Sequence, residues 1–139
     1  MLWSGIASVM IHTKTTTMGS FRDLIVYQKA FSLAMDVFQE SKKFPTGEKY
    51  GLTSQIRRSS RSVCSNIGEG YRKRIYKNHF VSKLTDADME NTETQVWSDF
   101  ALACKYIDER TYQDWNARSE EVGKMLGTMI ENPEKFGKK

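Results

Sequence analysis

The residues able to do chemistry in this chain are mostly cationic. Arg57, Arg61, Ser65, Gly68 and Arg72 recur at three- and four-residue steps, which is one line along a helix. Arg58, Lys73, Arg74 and Lys77 stand beside that line. The arginine fork matches a carboxylate or a phosphate in two contacts at once. Residues 48–77 hold eight Lys/Arg against two acids, whereas residues 78–121 hold four against ten. The formal charge of +4 hides this opposition. Three readings of it compete. The charges form a solvated face with weak surface ion pairs. Or the basic face of one copy meets the acidic third-helix face of the next, and such unlike surfaces close head to tail into a ring. Or the cations are an RNA or DNA backbone site, with Tyr71 and Tyr76 as stacking groups.

Other chemistry is sparse. His12 and His79 are the two histidines, and neither has the HxxxH or ExxH companion of a bundle-type di-iron site. Asp86, Glu90 and Glu93 share a helical face that could hold a hard cation, but such a face more often is solvated or answers basic residues. Cys64 and Cys104 fall on apolar faces, where a buried structural thiol is expected. Ser59, Ser60, Ser62 and Ser65 lack a GxSxG elbow, and SNIGEG lacks the strand–turn–helix setting of a phosphate loop. Asn91 and Thr94, in the NTET run, read as a polar layer. No catalytic residue, metal site, cofactor or small-molecule substrate is predicted, and the chain reads as a non-enzyme. An enzyme with a site shared between subunits is the third option.

The elements that must position these groups are helical. A chain of 139 residues is one domain with room for a core. Two prolines and nine glycines are too few for a loop-rich sandwich, and two cysteines cannot build a disulfide framework. Leu24, Tyr27, Phe31, Ala34, Met35 and Phe38 make one apolar stripe, which predicts a helix over 22–43 capped by Ser20 or Asp23 and ended by FPTG. Leu52, Ile56, Ser59, Val63 and Ile67 make the second. Beside it Ser60, Cys64 and Gly68 form a small-residue stripe suited to close helix packing, and Gly68 and Gly70 predict a bend. The third helix is expected over 78–108 with two stripes, one through Phe80, Leu84, Ala87, Asn91, Thr94 and Ala101, the other through Met89, Val96, Phe100, Ala103 and Ile107. A helix apolar on two sides is central or faces a neighbouring subunit as well. The fourth begins near Thr111 and stops at Asn132-Pro133. The prediction is an all-α, up-and-down antiparallel four-helix bundle over residues 21–132. Residues 1–20 are expected to be a disordered or loosely attached tail, with Met18 as the natural start, and residues 133–139 a frayed C-terminal tail. No segment is long and apolar enough to span a bilayer, and a cytoplasmic place is expected.

The blocks FRDLIVYQKA, FPTGEKYGLTSQIRRSSRSVCSNIGEG, TETQ and EEVGKMLGTMI, in this order, resemble a family of bacterial four-helix-bundle proteins encoded within intervening sequences of 23S ribosomal RNA genes. The resemblance covers Phe21 to Ile130 and is most specific from Tyr50 to Gly70, through Gln55, Arg57, Arg58, Ser62, Asn66, Glu69 and Gly70. Cys64 stands where proline is common in the family, and Gly68 where alanine is common. The resemblance implies a homopentamer without catalytic residues. It is similar in fold to the accessory variability proteins of diversity-generating retroelements, which bind nucleic acid. The expected function is a self-assembling bundle that binds structured RNA, such as ribosomal RNA, through Arg57, Arg58, Arg61, Arg72, Lys73, Arg74 and Lys77. The alternative is a protein-interaction or scaffold module whose cations are spent on subunit or partner contacts.

Overall fold

The computed structural model describes residues 19–137. The tail and start expected before Gly19, and the last two residues, lie outside them. Four long helices run in sequence: α1 (Ile25–Ser41), α2 (Leu52–Arg72), α3 (Lys77–Ala103) and α4 (Glu109–Glu131). α1 packs on α2, α2 on α3 and α3 on α4, and α4 closes back on α1. The fold is the expected all-α, up-and-down four-helix bundle, with no strand among the described residues.

The helix ends follow from local hydrogen bonding. The Ser20 side chain accepts the Arg22 amide and caps a single 3-10 turn, Phe21–Asp23, and α1 starts after it without a side-chain cap. Glu48 lies in a second 3-10 turn after Pro45, and its Oε1 accepts the Leu52 amide at 3.0 Å, which serves the open start of α2. Gly68 and Gly70 both lie inside α2, which runs on to Arg72. A turn over Lys73–Tyr76 then leads directly into α3.

α3 ends five residues before the expected Asp108. Lys105 adopts the left-handed conformation (φ 64°), the Tyr106 amide bonds the Ala101 carbonyl at 2.8 Å, and the Lys105 amide bonds that of Leu102 at 2.9 Å. This pair of bonds is the standard Schellman closure, here without its usual glycine, so the sequence carries no stop signal. Asp108, not Thr111, caps α4, its Oδ1 accepting the Thr111 amide at 2.8 Å. After Pro133, where fraying was expected, Glu134–Gly137 forms one further helical turn, α5, and Phe136 packs against the core.

The interior has three levels. One apolar cluster is built around Phe80, Leu84, Ile67, Val122 and Leu126, the other around Val37, Ile56, Ala101 and Trp115. Each buried Val, Leu, Ile or Phe side chain among them contributes about 1.5–3 kcal/mol relative to exposure. Between the clusters lies a buried polar waist of Ser59, Ser60, Asn91, Thr94, Ser98 and Ser119. Thr94 donates to Ser59 Oγ at 2.8 Å and Asn91 donates to the Ser119 carbonyl at 2.9 Å. The NTET run is thus the polar layer expected.

The two α2 glycines differ in their neighbours. A methyl on Gly68 would meet the Phe21 ring at 3.4–3.6 Å, an ordinary contact, so at Gly68 the small-residue stripe faces a ring rather than a helix backbone. A methyl on Gly70 would lie 2.9 Å from Lys83 Cβ and 3.7 Å from the Phe80 carbonyl, where α2 packs tightly on α3. Gly68→Ala is therefore expected to be neutral or to stabilise by up to about 1 kcal/mol through helix propensity. Gly70→Ala is expected to destabilise by about 1–3 kcal/mol through overpacking. Urea unfolding of the two variants checks both.

Candidate nucleic-acid interface

α2 carries its charge on two sides, and the structure gives those sides different partners. Arg58 faces α3. Its Nη1 bonds Glu90 Oε1 at 3.2 Å, its Nη2 bonds Glu93, and its Nε donates to Gln55 at 3.1 Å. The hydrogen bond to Glu93 raises the Arg58 pKa further. Glu93 is held below the usual carboxylate range, first by the Trp97 indole N–H at 3.0 Å and then by Arg58. At this place the acidic face of α3 answers a basic residue of the same chain. Arg58 is therefore already committed among the seven predicted nucleic-acid-binding residues.

Arg57 and Arg61 point the other way, toward the end of α1. Arg57 Nε donates to Ser41 Oγ at 2.7 Å, and its guanidinium stands 4.8 Å from the Phe38 ring centroid. The Arg61 guanidinium lies 5.4 Å from the same centroid and Lys42 Nζ 4.8 Å from it. Three cations thus gather on one ring, whose negative face offsets only part of their mutual repulsion. None of the ion pairs among the described residues involves Lys42, Arg57 or Arg61. Lys49 and Tyr50, at the mouth of α2, extend this surface, and Tyr50 is 86% exposed. Lys42, Lys49 and Phe38 were missed by the sequence reading. The available signal was the Lys42-Lys43 pair just after α1, which an antiparallel neighbour brings beside the start of α2.

The second half of the predicted set sits at the α2–α3 turn. Arg72, Lys73 and Lys77 are exposed. Arg74 is held down: its Nη1 bonds the Tyr71 carbonyl at 3.0 Å and its guanidinium covers the Tyr71 ring at 4.1 Å. The Tyr71 face expected to stack on a base is already occupied, while Tyr76 stays 56% exposed. Arg57 and Arg72 are fifteen residues apart, so the strip is about 22 Å long.

The other candidates resolve differently. His79 is exposed and meets Tyr76 edge-on at 6.2 Å. No group of three potential ligands gathers among the described residues, and Glu90 and Glu93 are taken by Arg58. Cys64 is buried, and burial pushes its thiol up to about 12, far from a reactive thiolate. Cys104 is exposed, contrary to expectation, because α3 stops one residue before it.

Of the predicted second stripe, Met89, Val96 and Phe100 are 66%, 43% and 54% exposed and lie outside the protomer's own core, whereas Ile107, beyond the end of α3, is buried within it. The spacing of the three exposed residues, seven and four, is that of a helix–helix seam.

A bundle with two apolar levels, a polar waist and one unpaired basic edge is an all-α module without a catalytic constellation among the described residues. The model of the 23S rRNA-intervening sequence protein family matches residues 22–128, and the chain belongs to that family. No curated protein matches it. A solved structure from Bacteroides thetaiotaomicron VPI-5482, described as a protein with unknown function from the S23 ribosomal protein family, is similar at 28% identity and a TM-score of 0.71. The similarity covers 78% of this chain and 96% of that one. No helix among the described residues is long and apolar enough to cross a membrane.

The loop that carries Lys49 and Tyr50 is braced by Glu48. The Leu52 amide and then the Tyr106 hydroxyl, at 2.8 Å, hold Glu48 below its ordinary value of 4.5, and Tyr106 rises to about 12 in return. Glu93 is depressed in the same sense. A carboxyl depressed in the folded state contributes stability that is full above its unfolded value and is lost as pH falls through the folded one. The melting temperature should therefore fall as pH drops below 4.5. Glu48→Gln and Glu93→Gln should melt lower at neutral pH and show a flatter acid dependence, which thermal melts followed by circular dichroism will show.

Proposed function

We propose that the protein is a non-enzymatic, self-assembling bundle that binds structured RNA, ribosomal RNA first among candidates, along the basic edge of α2. The observation that carries this reading is the gathering of Lys42, Arg57 and Arg61 on Phe38 with no ion-paired carboxylate among the described residues. Such a cluster repels itself until an external anion relieves it, and a phosphate chain supplies several anions in a row. Arg72, Lys73 and Lys77 continue the edge. The family's description names the 23S rRNA intervening sequence, which is the reason for putting ribosomal RNA first. Phosphate contacts supply affinity and leave selection to RNA shape. A cytoplasmic place goes with this role. Replacing Arg72, Lys73 and Lys77 together by glutamate should abolish RNA retention at moderate salt. It should also flatten the logarithmic salt dependence by about two to three. Filter binding across a salt series, beside native mass, is the measurement. Retention unchanged with the assembly intact overturns the reading.

Assembly rests on the exposed α3 seam. An apolar row of this kind is covered most economically by a second copy, and α1 and α3 occupy opposite corners of the bundle, which suits head-to-tail contacts. A pentamer, as the family resemblance implies, repeats the basic edge five times and raises avidity. Phe100→Glu should lower the native mass by sedimentation while leaving the protomer's helix content unchanged. The scaffold alternative has its own signature: Arg57→Glu or Arg61→Glu would split the assembly, making those cations subunit contacts.

A further inference from the structure

Beside the basic edge, α1 and α2 leave a groove of about 690 Å³ between them. Its walls include Phe21, Tyr27, Phe31 and Met35 from the α1 side and Cys64 and Gly68 from α2. The Phe21 and Tyr27 rings meet edge-on at 5.0 Å, and the Tyr27 and Phe31 rings follow at 6.0 Å, so three aromatic side chains run in succession along one wall. Gly68 contributes no side chain and leaves the opposite wall low. Arg61 and Arg72 border the groove, and neither takes part in an ion pair among the described residues. The acid on the same rim, Glu69, is held by Lys83 at 2.9 Å.

We infer that this groove seats unpaired nucleobases of the bound RNA. The inference rests on the RNA reading above and narrows its ligand class to RNA with single-stranded or looped nucleotides next to a helix. Arg61 and Arg72 are eleven residues apart, about 16 Å along the helix axis, the length of a few stacked nucleotides. A strand laid along α2 would place phosphates on both guanidiniums and turn its bases toward the ring-lined wall. Base–aromatic stacking accepts any base because each has a π-face. In an intact A-form helix the bases are paired and stacked inside, so they cannot enter. Charge at the rim and rings within are the two halves of a single-strand site, and the charged residues along α2 supply only the first half.

The experiment compares two RNA probes at fixed salt: a hairpin with an adenosine loop, and a blunt duplex with the same number of phosphates. The wild-type protein should bind the looped probe roughly 5- to 100-fold tighter. Tyr27→Leu and Phe31→Leu keep an apolar side chain on the core and remove the ring. Together they should erase the preference while leaving duplex affinity and helix content unchanged, with a lower melting temperature from the lost ring packing. A fluorescent adenine analogue in the loop should be quenched on binding wild type and not on binding the variant. Equal affinity of the wild type for both probes overturns the groove assignment and leaves the phosphate edge standing. Binding of neither probe overturns both. A fall in native mass in the double variant assigns the groove to a protein contact and overturns the nucleobase reading.

Discussion

The bundle depends on a register held at its waist. Hydrophobic side chains fill the space above and below, but apolar packing alone tolerates sliding and repacking of helices. The hydrogen bond from Thr94 to Ser59 ties α3 to α2, and that from Asn91 to the Ser119 carbonyl ties α3 to α4. Each contributes about 1 kcal/mol net when made, and a buried polar group left unpaired by slippage costs about 1–3 kcal/mol. The penalty for the wrong register is therefore larger than the gain from the right one. Polar contacts outside the waist repeat the arrangement. Arg58 joins α2 to α3, Arg118 joins α4 to α1 through Asp36 and Ser32, and Gln95 joins α3 to α4 through Asn116 and Glu120.

This register decides which charges are spent and which are left. With α2 and α3 locked, Arg58 falls opposite Glu90 and Glu93, and three charges settle within the chain. Its neighbours Arg57 and Arg61 are turned by the helical step toward α1, which is followed by Lys42 and Lys43 and offers the Phe38 ring and the Ser41 hydroxyl. The same backbone thus presents a neutralised side and an unpaired side. Helix α3 is divided likewise, with Phe80, Leu84 and Ala87 inside and Met89, Val96 and Phe100 outside.

The most reactive group in the core, Cys64, is rendered inert by burial. The cations Arg61 and Arg72 border the ring-lined groove, whereas Met89, Val96 and Phe100 of α3 line neither of its walls.

The helical period of the apolar residues was enough to determine four helices, their order and most of their buried faces, because amphipathicity is written in spacing alone. It was also enough to place Asn91 and Thr94 in a polar layer and to gather the cations of α2. It could not show that α3 ends at Ala103, since a left-handed lysine closes the helix where the usual signal is glycine. Nor could it separate Arg58 from Arg57 and Arg61, or find Lys42, Phe38 and the Phe21–Tyr27–Phe31 wall beside them. Those distinctions depend on which neighbour each side chain meets, and neighbours distant in the chain are brought together only when four helices pack in one register.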